Sequence, residues 1–357
     1  MAPFEYESPA ARVVFGAGSM TQLAPEARRL GRRALLLCTR EQRDLAGRAQ
    51  ELLGDLAVGL YDRAVMHVPK PTADAAAELA RQVRADFTVA VGGGSTIGLA
   101  KAIALDLGLP ILALPTTYAG SEMTPVWGLT EDGIKRTGRD ARVQPRTVLY
   151  DPDLTLTLPP AMAVTSGINS MAHCIEGLYS QVANPLTSLM AEEGIRALAA
   201  SLPRIAQEPG DREARSDALY GAWLGGTVLG AVGMALHHKL CHVLGGSFNL
   251  PHAQTHTIVI SHVVAYNALA AKAAMRRVAS ALGDEAQDPA QRLHALIAET
   301  GVPVALKDIG MPEAGLEEVV LQATGNPYYN PAPLRADALR RLLRNAYEGL
   351  PPEQVLA

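Results

Sequence analysis

The chain has 357 residues, 48% hydrophobic and 19% charged, with a formal net charge of −4. This predicts two domains, each with its own core, and excludes wholesale disorder. The mildly acidic balance argues against a nucleic-acid partner, and charges or Gly/Pro clusters interrupt every apolar run before it could span a membrane.

Only three cysteines are present, Cys38, Cys174 and Cys241, too few and too scattered for a disulfide framework. The first residues, MAPFEYESPAARVVFG, lack a basic-then-apolar leader pattern. Together these features predict a cytoplasmic protein.

In chain order, ARVVFGAG (11–18) reads as a strand and 19–31 as a helix capped by Ser19. RALLLCT (33–39) reads as a buried strand, 41–56 as a helix, 60–65 as a strand and 72–86 as a helix capped by Thr72. FTVAVGGGS (87–95) and LPILALPTT (109–117) are further strands, each entering a small-residue turn. Such alternation predicts a parallel sheet covered by helices on both faces. A hairpin follows over 126–138 with Asp132-Gly133 at its tip, and RTVLYDPDL (146–154) closes the α/β half.

Beyond TLPPAMAVTSG (157–167) the texture becomes alanine- and leucine-rich. Helices are expected over 166–182, 186–203, 212–231, 234–245, 253–282, 288–300 and 334–346. The expected division is an α/β dinucleotide-binding domain at 1–157 and an all-helical catalytic domain at 158–357.

Four stretches carry chemistry. In GGGSTIGLAKA, Gly93, Gly94 and Ser95 stand where a strand ends and a helix begins, so backbone N–H groups there can meet a phosphate. In PTTYAGSE, Thr116, Thr117, Tyr118 and Ser121 offer hydroxyls after the next strand. The second strand ends at Thr39 followed by Arg40, where an acid would bond the ribose 2′-OH; without one, NADPH is expected as a possible cofactor beside NADH.

In SGINSMAHCIEG, Asn169 lies four residues before His173, on one helical face. Six of the nine histidines fall between His237 and His262, and His238 and His242 share a face while His252 opens the next helix. His173, His238, His242 and His252 are expected to share one site, with His237 and His256 out of phase. His67, His262 and His294 read as ordinary structural residues. Cys174 and Cys241 read as core residues facing away.

Taken together, GGGSTIGLAKA, PTTYAGSE, GINSMAHCIE and HHKLCHVLGGSFNLPH resemble the iron-containing alcohol dehydrogenase superfamily, in order and spacing, over nearly the whole chain. The resemblance implies a Rossmann-like N-terminal domain and a helical C-terminal domain, the fold shared with dehydroquinate synthase. In metal-dependent relatives an Asp and three His hold the cation, at positions matching Asn169, His173, His238 and His252. A further His, matching His242, sits near the nicotinamide. Here the Asp is replaced by Asn169, and a usual Asp of the glycine motif is replaced by Gly98.

Both departures look like the maleylacetate reductase branch, which implies NAD(P)H-dependent reduction of an enone double bond, giving 3-oxoadipate in aromatic-compound degradation, with no metal required. The carried-over roles are catalysis by His173, His238, His242 and His252, and substrate binding by Asn169, Tyr118 and Lys239. Gly93, Gly94, Ser95, Thr39, Thr116, Thr117 and Ser121 would bind the cofactor. The expected partners are a small dicarboxylate substrate and a second copy of the chain in a homodimer. The competing readings are a metal-dependent alcohol or polyol dehydrogenase, a lyase resembling dehydroquinate synthase, and a nucleotide sensor without turnover.

Overall fold

Short runs of Leu, Val, Ile and Ala alternate with alanine-rich helices through the first part of the chain, and the central runs become strands buried on both faces. The computed structural model describes residues 4, 6, 11–132, 134–325 and 328–354. By internal packing the chain divides into Glu7–Leu158 and a unit built on Pro159–Ala357.

The first unit runs β1 (Arg12–Phe15), α1 (Leu23–Ala27), β2 (Ala34–Leu37), α2 (Arg43–Leu53), β3 (Ala57–Tyr61), α3 (Lys70–Gln82) and β4 (Phe87–Gly92). It continues with α4 (Gly94–Leu107), β5 (Ile111–Pro115), the hairpin β6 (Val126–Glu131) and β7 (Ile134–Arg139), and β8 (Thr147–Tyr150). The six-stranded sheet has the order β1-β8-β5-β4-β2-β3, and every pairing in it is parallel. Side chains alternate between its faces. Leu36, Val89 and Val91 pack with α1 and α2, whereas Leu35, Leu37 and Ala90 pack with α3 and α4.

From β2 the chain moves outward to β3 and then crosses back to place β4 on the other side. The strand order therefore reverses between β2 and β4, and open α/β sheets bind ligands at the carboxyl ends of strands at such a point.

Local details depart from expectation. Ser19 caps nothing: left-handed Gly18 precedes a 3-10 turn, the Ser19 hydroxyl bonds the Tyr150 carbonyl, and the regular helix is only Leu23–Ala27. Thr72 lies inside α3, which starts two residues earlier behind Pro69. The hairpin forms with Asp132 at φ 51°, while Gly133 lies outside the described residues.

The second unit is helical: α5 (Pro160–Leu178), α6 (Pro185–Gln207), α7 (Arg212–Ala231), α8 (Leu236–Phe248) and α9 (His252–Asn267). After these come α10 (Lys272–Ala281), α11 (Pro289–Glu299), α12 (Leu316–Gly325) and α13 (Ala336–Glu348). α5 is the central helix, buried from Ala163 to Leu178 and packed against α6, α7 and α9. Its approach to α7 is close enough that a Cβ on Gly225 would lie 2.3 Å from the Ser170 hydroxyl.

The helix expected over 253–282 is two helices. The break needs no Gly or Pro, because the Asn267 amide is held by Asn330 and by the Ala332 N–H. α12 was not expected, although Leu316, Val319, Val320 and Ala323 give it a helical apolar face. Among the described residues no single helix is long and apolar enough to cross a membrane. The pair α7 and α8 passes that test only jointly, across a 96° bend.

Candidate functional site

The glycine turn shows three different uses of a missing side chain. Gly92 has φ 154°, and a Cβ on it would meet Gln42 Oε1 and Thr96 Oγ1 at 2.4 Å. A Cβ on Gly93, the N-cap of α4, would lie 2.7 Å from Thr117 Cγ2, so this turn and the 116–124 segment are in contact. At Gly94 nothing lies within 4 Å, which leaves open space beside the first turn of α4. The amides of that turn have no intrahelical partner and carry the positive end of the helix dipole.

Around this space, Gln42 Nε2 donates to Thr116 Oγ1 at 2.5 Å, while Gln42 Oε1 and Thr96 Oγ1 are buried without a protein partner. Thr117, Ser121, Ser95 and Thr39 are half-buried, and Thr116 is buried. Open space, left-handed glycine backbone, a helix start and orphaned polar atoms together fit the phosphate and ribose of a dinucleotide. Gln42, at the N-cap of α2, was missed; its place just after β2 was the available signal.

Tyr118 is fully buried and its hydroxyl lies 3.3 Å from that of Thr155. Glu122 is buried too and accepts from the Tyr150 hydroxyl at 2.7 Å. Gly98 has Val68 where a side chain would go, 2.8 Å from a built Cβ.

In the second unit, α5, α8 and α9 bring the histidines together. His173 stacks on His238 with ring centroids 5.0 Å apart. His238 is 4.9 Å from His256, and His256 is 4.3 Å from His252. His242 stands edge-on to His238 at 6.3 Å and is exposed, and His252 is half-buried. His237 and His256, whose helical phase leaves their place ambiguous in the sequence, belong to the cluster: His237 Nε2 and His256 Nδ1 share a hydrogen bond of 2.9 Å. Cys241 lies with them, its sulfur 3.8 Å from His237 Nε2, so it does not face away. Cys174 does, packing against Gly194. His262 is separate, its ring 6.2 Å from that of His294.

The arrangement follows from local chain chemistry. α8 runs through Gly245 and Gly246 to Phe248, and the break falls at left-handed Asn249 and Pro251, which sets His252 as the first residue of α9. His252 and His256 are then four apart on one face.

Glu176 is a further site residue that its sequence context does not single out. It follows Asn169 and His173 at the next heptad-like step, on the same face of α5, and is fully buried. Glu176 accepts from the backbone N–H of Ala235 at 2.9 Å and of His237 at 2.8 Å, capping α8 from a neighbouring helix. Its Oε2 also lies 2.7 Å from His238 Nδ1. A carboxylate with these partners makes His238 Nδ1 the donor, so the lone pair of neutral His238 sits on Nε2. That nitrogen is buried with no protein partner, as are Asn169 Oδ1 and His173 Nδ1.

Burial, and then the neighbouring histidines, hold His173, His237 and His256 well below the usual imidazole range, so all three are neutral. Lys239 is not part of the cluster contacts: its ammonium lies over the Tyr328 ring, 5.9 Å from the centroid.

The donor set does not fit the family's metal site. Asn169 supplies a neutral amide, a weaker ligand for a divalent cation, where the resemblance implies an Asp. Among the described residues, the group of three His, Cys or acidic ligand atoms found within 4.8 Å of one another is His237, Cys241 and His256, not His173, His238 and His252.

Two family models cover the chain: iron-containing alcohol dehydrogenase over residues 10–152, and the C-terminal part of the Fe-containing alcohol dehydrogenase family over 163–347. The chain is similar to a maleylacetate reductase from Sphingobium indicum, 57% identical, covering 98% of this chain and 99% of the relative. A maleylacetate reductase from Burkholderia cepacia is 54% identical, with 99% and 100% covered. The crystal structure of maleylacetate reductase from Agrobacterium tumefaciens superposes with a TM-score of 0.95 at 47% identity, covering 99% of this chain and 100% of that one. A 1,3-propanediol oxidoreductase, 23% identical with a TM-score of 0.91, shares the fold.

Proposed function

Because the chain belongs to the iron-containing alcohol dehydrogenase family, we propose that it acts within it as a maleylacetate reductase whose proton chemistry runs on histidine and needs no metal. The full-length similarity to maleylacetate reductases supports the reaction. The observation that carries the metal-free reading is Asn169, a neutral amide at the acidic ligand position.

A reduced nicotinamide bound at Gly93, Gly94 and Ser95 would supply hydride to the carbon β to the ketone. Thr116, Thr117, Ser121 and Thr39 would complete its site. After β2, positions 39 and 40 are Thr and Arg rather than an acid, and the nearby Glu41 is hydrogen-bonded to Thr39, so NADPH is accepted beside NADH.

As hydride reaches the substrate, negative charge moves to the ketone oxygen as an enolate, and the α carbon must then take a proton. In its protonated form His238 carries that proton on Nε2, while Glu176 holds Nδ1 and stabilises the imidazolium. His173 stacks on His238 and keeps its ring plane. His242 and His252 form the open side of the cluster and bind a substrate carboxylate. Asn169 orients the substrate and adds no negative charge where a dicarboxylate must enter. Tyr118 and Lys239 act from behind, through Thr155 and Tyr328, and not as direct ligands. The enzyme works as a cytoplasmic homodimer, two-fold pairs being the commonest assembly.

The test is stoichiometry and product. Maleylacetate with NADH should give one 3-oxoadipate per NADH oxidised, and His238→Gln should abolish most of that turnover. Full activity in His238→Gln would remove His238 as the proton source.

The grouping of His237, Cys241 and His256 favours a second reading, a metal-dependent alcohol or polyol dehydrogenase. On that reading purified protein holds a stoichiometric transition metal and oxidises alcohols only when loaded.

A further inference from the structure

Lys101 is a charged residue with 1% exposure, on α4, two turns beyond the glycine turn. Its Nζ donates toward four oxygens: Ser121 O at 2.7 Å, Thr124 O at 2.8 Å, Thr124 Oγ1 at 2.9 Å and Val126 O at 2.7 Å. An ammonium has three protons, so the four oxygens enclose it much as a carbonyl cage encloses a cation. Three belong to the segment that joins β5 to β6, which also carries Thr116, Thr117 and Ser121, and the fourth is on Val126, the first residue of β6. Desolvation is the largest influence on this ammonium and pushes it down to about 7, so the oxygens facing it are what make its burial tolerable.

Other bonds also hold the segment: the Asp140 N–H donates to Pro125 O at 2.9 Å. Met123 N–H and Thr124 N–H close one short turn onto Gly120 O and Ser121 O, and Glu122 bonds Tyr150. At its near end Thr116 N–H bonds Gly92 O at 3.3 Å, and Thr117 fills the space beside Gly93. Lys101 thus ties the far end of the hydroxyl segment to the helix whose first turn faces the open space at Gly94.

We propose that Lys101 is a positioning residue for the cofactor: its four-oxygen clamp sets the hydroxyl segment against the glycine turn, so that both meet the dinucleotide as one pre-formed cradle. This rests on the assignment of the cofactor to these two loops. Without the clamp, three backbone carbonyls lose their charged donor, and NADH must order the segment as it binds.

The experiment measures NADH Kd, and KM and kcat for both substrates, in full-length Lys101→Met, Thr124→Val and Thr117→Val. Lys101→Met should weaken NADH about tenfold or more, while kcat at saturating NADH and the KM for maleylacetate stay within about threefold. Thr124→Val, which removes one acceptor and keeps the shape, should weaken NADH a few-fold in the same direction, and it decides the matter if Lys101→Met does not fold. Thr117→Val tests the underlying assignment. If Thr117→Val weakens NADH but Lys101→Met and Thr124→Val do not, the clamp has no positioning role. If Lys101→Met lowers every parameter together in proportion to its folded fraction, its role is structural and the proposal falls. If none of the three changes NADH binding, the cofactor lies elsewhere and both statements fail.

Discussion

The cofactor loops and the histidine cluster solve opposite problems. In the first unit the proposed recognition rests on what is missing: Gly92, Gly93 and Gly94 would let backbone and open space face the cofactor, with Gln42 and Lys101 bonded to the neighbouring segment. In the second unit the proposed chemistry rests on what is present: six imidazoles and one carboxylate on three helices, with His173, His237 and His256 held neutral by burial and by their neighbours. A backbone site is broken by adding atoms and a side-chain site by removing them. The two sites should therefore respond differently to mutation, one in cofactor affinity and the other in turnover.

The largest effect is expected at the carboxylate behind the proton donor. Glu176→Gln keeps the shape but no longer stabilises a charged His238, and kcat should fall about 10²- to 10⁴-fold with NADH affinity unchanged. Steady-state kinetics with both substrates checks it, and a variant of normal kcat would mean that the Glu176–His238 bond is only structural.

Gly94→Val is the matching break at the other site. The open space around Gly94 means the variant folds normally, while bulk there displaces a charge-assisted phosphate contact and raises the KM for NADH about 10- to 100-fold. An unaltered KM with an unaltered melting temperature would show that no phosphate lies at this turn.

Asn169→Asp sharpens the comparison within the cluster. A buried anion should raise the KM for maleylacetate at least about tenfold through like-charge repulsion, with little change for NADH.

A smaller effect lies in pH dependence. Burial lowers His262 to about 3, from an ordinary value of 6.5. Between those values the unfolded chain binds a proton that the folded chain refuses, so stability is full above about pH 6.5 and is lost as pH falls toward 3. At pH 5.5 this one residue should cost roughly 1.4 kcal/mol. Denaturant titrations of His262→Phe at pH 8 and pH 5.5 should show that much less acid sensitivity than the parent chain. Smallest of all, Lys239→Met should change turnover by less than about threefold, because its ammonium rests on Tyr328 away from the histidines.

These differences also explain what could be read from the chain alone. The parallel sheet, the helical second half and the glycine turn were legible because short apolar runs, alanine-rich helical stretches and small-residue turns are local signals. The cluster was half legible. His238 and His242 announce a shared face, but His237 and His256 join through a contact between helices, which spacing on one helix does not encode. Glu176 was written in the same eight-residue span as Asn169 and His173, yet a lone Glu on an apolar helix gives no sign that it caps another helix. The break after Asn267 is of the same kind, set by Asn330 more than sixty residues away. Tertiary partners, not local propensity, decide all three.

The most direct test of the account is the rate of maleylacetate-dependent NADH oxidation by one preparation before and after exhaustive chelation, with metal content measured each time. Equal rates with less than stoichiometric metal are predicted, since Glu176 and His238 supply and steady the proton. Loss of activity on chelation, restored by iron or zinc, would contradict it and assign the histidines to a cation.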